Sequence, residues 1–271
     1  MSKTSKILSS ALIIGMMMPA SAKAVTIWSD GFDAGNFNKW SYVQGADTSQ
    51  GGPGPRYVYV GASGALGMAA QNGGYAAHFE RPAGTTATPH AKIYKEWTTI
   101  GKLDQFRRRE DPIFNGGNVT ATYVAWYYFP ANYTVLADWV NIFQFKEEGT
   151  DRNGVHSQNP SWWLNVGAAA AWHMGGMEPV LFANNWGNNY SNYHPRAVFL
   201  PRGRWFEVRA NLYQGRRIDW YLDGRLFDSS LNATYPVGRS YYRSTGWVFG
   251  VGHYGGVGTV YVDNVQVMTA P

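Results

Sequence analysis

The chain has 271 residues, with 23 Lys and Arg against 18 Asp and Glu, a formal net charge of +5 and no cysteine. That length suits one large domain, and the lack of cysteine excludes a disulfide framework, a thiolate metal site and a thiol nucleophile. Only 15% of residues are charged, whereas 12 are Trp, 18 Tyr and 32 Gly, a balance that favours strands and turns over amphipathic helices.

Lys3 and Lys6 precede an apolar run from Ile7 to Met18, then Pro19 and the small-residue pattern Ala22-Lys23-Ala24. This is the layout of a secretory signal peptide over residues 1–24, leaving a single domain over residues 25–271. The leader takes three lysines and no acid with it, so the mature balance is 20 bases against 18 acids, or +2. A nucleic-acid partner loses its main support, because such proteins concentrate basic charge on one face. No later stretch approaches the roughly 20 apolar residues of a membrane span. The expectation is a monomeric protein, secreted or periplasmic, with neither a membrane nor a nucleic-acid partner.

Taken in order, VTIWSDGFDAGNFNKW is a short strand running into an Asp/Gly/Asn turn. Asp30 and Asp33 either join backbone carbonyls around a hard cation or cap their own turn. Residues 57–60 read as a strand. In the next one, Tyr75, Ala77 and Phe79 oppose Ala76, His78 and Glu80. HAKIYKEW then gathers His90, Lys92, Tyr94 and Glu96 on one face, either a site wall or a solubilised edge. Arg107 to Asp111 reads as charged surface. VTATYVAWYYF, from Val119 to Phe129, is a long strand ended by Pro130, and a short loop predicts that the next strand pairs with it.

That next strand, DWVNIFQFKEE, is the organising element. Alternation sends Phe143 and Phe145 to a core, and sets Gln144 and Lys146 beside Val140 and Ile142 on the other face, the floor of a polar site. PSWWLNV follows, with Trp162, Leu164 and Val166 opposed to Trp163 and Asn165. Residues 167–198 read as long loops lining an opening. RWFEVRANLY, RIDWYLDGRLFDS, GWVFGVGHYGG and GTVYVDNVQV complete the chain as strand patterns, with Asp223-Gly224 marking a hairpin. Antiparallel strands without a helical period predict an all-β protein, a two-sheet antiparallel sandwich of jelly-roll type.

The order FQFKE, W-x-E-x-R, I-D-W-Y-L-D-G-R, G-x-G-x-Y and V-Y-V-D-N-V resembles the concanavalin A-like jelly-roll polysaccharide lyases, the group containing heparin lyase I and the glucuronan lyases. The resemblance runs from Val119 to Val267. It implies β-elimination on an acidic, uronate-containing polysaccharide. That reaction needs a group that neutralises the uronate carboxylate, a base for the C5 proton and an acid at the glycosidic oxygen. By motif and order the resemblance assigns Gln144 to the first role and Tyr254 to the acid, with His90 or, alternatively, His78 assisting. Gly250 and Gly252, on the face expected for Tyr254, would leave room for substrate. Lys146, Lys92, Asn165 and Arg209 are candidate substrate-binding residues. Lys146 stands where heparin lyases have a His, which weakens a heparin assignment.

The resemblance also implies a structural calcium ion joining Asp30 or Asp33 to Asp263, and no organic cofactor. A retaining glycosidase would need two carboxylates facing each other, but Glu147 and Glu148 are adjacent and point to opposite faces. The remaining alternative is a non-catalytic carbohydrate-binding module on the same fold.

Overall fold

The structure, a computed structural model, describes residues 24–45, 57–69, 71–81, 90–98, 121–135, 140–150, 156–168, 178–185, 196–213, 217–231, 243–255 and 257–269. The expected leader up to residue 23 and the charged stretch Arg107 to Asp111 lie outside the described residues. The described strands are β1 (Thr26–Asp30), β2 (Tyr42–Gln44), β3 (Val58–Ala62), β4 (Tyr75–Arg81), β5 (His90–Thr98), β6 (Ala121–Tyr128), β7 (Val140–Thr150) and β8 (His156–Ala168). They continue with β9 (Pro179–Asn185), β10 (Ala197–Phe199), β11 (Trp205–Tyr213), β12 (Arg217–Leu222), β13 (Arg225–Leu231), β14 (Arg243–Tyr254) and β15 (Gly258–Thr269). Among the described residues no helix is long and apolar enough to cross a membrane.

These strands form two antiparallel sheets that do not close into a barrel. The first runs β13-β12-β11-β6-β15-β4-β3, with β1 also on β15, and the second runs β10-β9-β8-β7-β14-β5-β2. The protein is therefore an all-β jelly-roll sandwich. Inward-facing rings fill the space between the sheets. Phe143 meets Trp220 edge-on at 5.5 Å, and Tyr123 meets Phe145 edge-on at 4.7 Å, so each ring of one sheet packs against a ring of the other. The turn at Asp223 and Gly224 has φ of 47° and 75°, the two left-handed residues that a tight hairpin between twisted strands requires.

Three expectations change. β6 does not pair with β7; it lies in the opposite sheet. Part of residues 167–198 is ladder rather than loop, since β9 and β10 extend the second sheet beyond β8. The third concerns β7 itself. Between Asn141 and Phe143 it advances two residues while β8 advances one, from Asn165 to Leu164, which makes Ile142 the extra residue of a β-bulge. Val140 and Ile142 consequently join the core instead of the polar face, both with no exposure.

Candidate functional site

The bulge is what assembles the polar face of the second sheet. Asn141 and Gln144 are three residues apart, a spacing that places side chains on opposite faces of a regular strand. With Ile142 inserted, both turn away from the core and meet the same lysine. Lys92 on β5 donates from Nζ to Asn141 Oδ1 and, at 3.3 Å, to Gln144 Oε1. Asn141 is held in turn by its Nδ2, which donates to Asn165 Oδ1 at 3.2 Å and to the carbonyls of Phe143 and Leu164, each at 3.3 Å.

Lys92 has no exposure to solvent. Burial, followed by the charge of Lys146, holds its ammonium well below the usual lysine range. Among the described residues no carboxylate faces it, and its partners are two neutral amide oxygens. An amine buried among amides resists protonation, and a carboxylate arriving above it would favour the charged form by supplying the missing countercharge. Lys146, half-buried on the same face, lies 4.3 Å from the centroid of the Tyr94 ring. Two lysines thus share one small area.

Tyr254 ends β14 beside this floor, its ring centroid 5.9 Å from Lys92 Nζ. It also faces Tyr94, whose hydroxyl is pushed above the usual phenol range by burial and then by Tyr254. Tyr94 is stacked on Tyr42 at 4.6 Å. The open space expected over Gly250 is taken by this ring: a Cβ at Gly250 would stand 2.6 Å from Tyr94 Cδ1. Gly252 has φ of 134°, and its Cβ would lie 2.4 Å from the Ala91 carbonyl oxygen, so it permits β14 and β5 to approach rather than making room for substrate.

The histidines part company. His90 is the register partner of Tyr254 at the start of β5, two residues before Lys92; its side chain lies outside the described residues. His78 is not at this site. β4 belongs to the first sheet, where His78 sits between Tyr59 and Tyr261 on the face turned away from the core, and burial lowers its imidazole to about 4. His253 is fully buried behind Tyr254 with neither ring nitrogen hydrogen-bonded, and is lowered to about 3 by burial, then by Arg81 and Lys92.

Arg209 is also placed elsewhere. β11 lies in the first sheet, and Arg209 there pairs with Glu207 at 2.7 Å and covers the Tyr221 ring. Of the residues singled out from sequence, Gln144, Lys146, Lys92, Asn165 and Tyr254 come together. Asn141 and Tyr42 were missed. An Asn within the apolar run VNIF was the available signal for the first; nothing in the sequence pairs Tyr42 with Tyr94.

At the opposite corner, Asp263 of β15 is fully buried and pushed up to about 7, by burial most and also by Asp33 and Asp30. Its Oδ2 accepts from Asn72 N at 3.1 Å and its Oδ1 from Asn264 N at 2.6 Å. Asp33 Oδ1 accepts from Gly74 N at 3.3 Å. Both Asp30 oxygens are already committed, to Phe32 N at 3.0 Å and Trp40 Nε1 at 2.8 Å. Among the described residues no group of three His, Cys, Asp or Glu side chains is arranged to hold a metal, so a cation here would rest on Asp33 and Asp263 with backbone carbonyls.

No family model and no curated protein matches the chain. Among solved structures it is similar to an endo-β-1,4-glucuronan lyase from the fungus Trichoderma reesei, at 14% identity and a TM-score of 0.55, with 91% of this chain and 96% of that chain covered. It is also similar to the cellulose-induced protein Cip1, at 19% identity and a TM-score of 0.50, covering 89% and 96% of the two chains. At these identities the likeness shows a shared fold.

Proposed function

We propose that this protein is an exported polysaccharide lyase that cleaves a uronate-containing polymer by β-elimination. The observation that carries the reading is the polar floor of Gln144 and Lys146, both half-buried, set over Lys92, whose Nζ is held by two amide oxygens with no carboxylate among the described residues facing it. A uronate carboxylate seated on Gln144 and Lys146, with Lys92 beneath them, has its charge offset. The C5 proton becomes more acidic as a result, because the carbanion it leaves is stabilised through that same carboxylate.

The elimination then requires one proton to leave and one to arrive. The base takes the proton from C5, the electron pair forms the C4–C5 double bond, the C4–O bond breaks, and the departing glycosidic oxygen is protonated. Tyr254, beside Lys92, serves in this scheme as the base that takes the C5 proton and then as the acid that delivers it to the departing oxygen; His90, its register partner, is the assisting residue. Asn141 and Asn165 position Lys92 rather than touch the reacting atoms. A calcium ion at Asp33 and Asp263 would have a structural role, offsetting two acids at the corner where β1 and β15 meet. The export expected from the sequence belongs to the same reading.

The test is ultraviolet absorbance of the mature protein mixed with glucuronan, alginate, pectate, heparin and chondroitin. Elimination creates a 4,5-unsaturated uronate that absorbs, whereas hydrolysis and binding do not. The expected result is a rising signal on one polymer that disappears in Tyr254→Phe. Retention by a uronate polymer without any absorbance change would replace the lyase with a binding module.

A further inference from the structure

The face of the first sheet turned away from the core carries an aromatic row that the proposed reaction does not use. Tyr59 on β3 is the register partner of His78 on β4, His78 of Tyr261 on β15, Tyr261 of Tyr128 on β6, and Tyr128 of Trp205 on β11. Five rings on five successive strands therefore form one line at right angles to the strands. Their centroids are separated by 4.4, 5.1, 5.9 and 5.6 Å. The row spans about 19 Å, four ordinary strand spacings.

The rings are not core. None of the five belongs to the apolar cluster between the sheets, and the four other than His78 are half-buried. Successive rings are turned 47°, 46°, 68° and 58° against one another, so neighbouring rings are tilted rather than coplanar. Trp205 is fixed at one end by Nε1, which donates to the Ala69 carbonyl at 2.7 Å. Burial and, secondarily, Glu80 raise the Tyr59 phenol, and burial, Tyr59 and Glu80 raise that of Tyr261, so both keep their hydroxyl protons to donate.

Charge distinguishes this face from the lysine floor. Glu80 lies 3.8 Å from His78, whose imidazole burial keeps neutral, and Glu207 is offset by Arg209. Among the described residues, Glu80 places a carboxylate beside the row, which repels a polyanion and accepts hydrogen bonds from hydroxyl groups.

We infer that this face binds a neutral, β-1,4-linked polysaccharide chain lying across the strands along Tyr59, His78, Tyr261, Tyr128 and Trp205. Such a chain is an extended ribbon whose equatorial hydroxyls point sideways. Its apolar faces meet the rings, and its hydroxyls meet the Tyr59 and Tyr261 phenols and Glu80. Because the row and the lysine floor are on opposite sides of the sandwich, both polymers are held at once: the neutral one as an anchor, the anionic one in the site.

The experiment is retention of the mature protein by microcrystalline cellulose, linear mannan and unsubstituted xylan, in pull-down and affinity electrophoresis, with Tyr59→Leu, Tyr128→Leu and Lys92→Met beside the parent. Leucine keeps apolar bulk against the neighbouring ring, and thermal melts confirm that each variant is folded. The expected result is retention of the parent by at least one polymer and at least tenfold weaker retention of both tyrosine variants. Lys92→Met is expected to be retained like the parent. Three results each overturn the inference: no retention of the parent by any of the three, tyrosine variants that bind as well as the parent, or retention lost in Lys92→Met. Absorbance assays on uronate polymers give a separate readout, which the tyrosine variants leave unchanged.

Discussion

Tyr127 Oη donates to the Ile142 carbonyl at 2.9 Å, a hydrogen bond that crosses the core from one sheet to the other. Its acceptor is the extra residue of the β7 bulge, whose carbonyl lies where the ladder is locally disrupted. Burial holds the Tyr127 phenol well above its usual range, so the donor proton is permanent. One side chain of the first sheet thus braces the irregularity that turns Asn141 toward Lys92 in the second. Tyr127→Phe leaves a buried carbonyl short of a donor and is expected to cost about 1–2 kcal/mol of stability. If the bulge relaxes with it, turnover measured well below the melting temperature falls by more than tenfold. Full turnover alongside the stability loss would show that the bulge holds without Tyr127.

Lys92→Met separates binding from stability. The substitution removes a buried amine that is costly to protonate while nearly conserving volume, so the melting temperature is expected to stay level or rise even though two amide oxygens lose their donor. Turnover on the uronate polymer is expected to fall at least a hundredfold. An active Lys92→Met enzyme would reject the assignment of the carboxylate to this lysine.

Gly252 is constrained by its neighbours as well as by its own backbone. A Cβ there would stand 2.8 Å from Lys92 Cα and 2.9 Å from Phe79 Cδ1, at a φ of 134° that side chains rarely adopt. Backbone atoms cannot move aside as a flexible side chain does. Gly252→Ala is expected to cost at least about 2 kcal/mol in denaturant melts. A smaller loss would mean that β14 and β5 can separate without penalty.

Acid sensitivity follows from two histidines that stay neutral in the fold. His78 and His253 take up a proton only near pH 4 and pH 3 respectively. Unfolded, they do so near pH 6.5. Between those values the unfolded chain binds more protons, so stability falls as pH drops through the window, while above it these groups contribute no slope. His78→Gln is expected to flatten the dependence of melting temperature on pH between 6.5 and 4 relative to the parent. An unchanged slope would show that His78 becomes protonated in the fold as readily as in the unfolded chain.

Calcium is expected to act on stability alone. Melting in millimolar calcium should exceed melting in chelator by several degrees, and Asp263→Asn should abolish the increment, because the buried one of the two acids that a cation would offset is gone. An identical increment in that variant would place any bound cation elsewhere.

Much of the fold was legible because strand alternation is a local property. Ala77 and Phe79, Ala91 and Ile93, and Phe143 and Phe145 each share a face, and each pair is buried as alternation requires. The hairpin at Asp223-Gly224 was legible for the same reason: left-handed φ values are a demand that two adjacent residues meet alone. The site was legible only in part. Gln144, Lys146 and Lys92 lie on one polar face as their strand patterns suggested, whereas His78 and Arg209 lie in the other sheet, since the pattern of a strand gives its two faces but not the layer it joins.

The sequence by itself determined that the chain forms strands, which residues alternate, and that several strands carry more polar and aromatic groups than a core needs. Tertiary structure decided the rest. It put β6 across the core from β7 and inserted Ile142 as a bulge, bringing Asn141 and Gln144 onto one face although their spacing assigns them to two. It also aligned five rings from five strands into a row. The physical reason is that periodicity is fixed by bonds within a strand, whereas register, bulges and sheet membership are fixed by hydrogen bonds and packing between residues far apart in the chain.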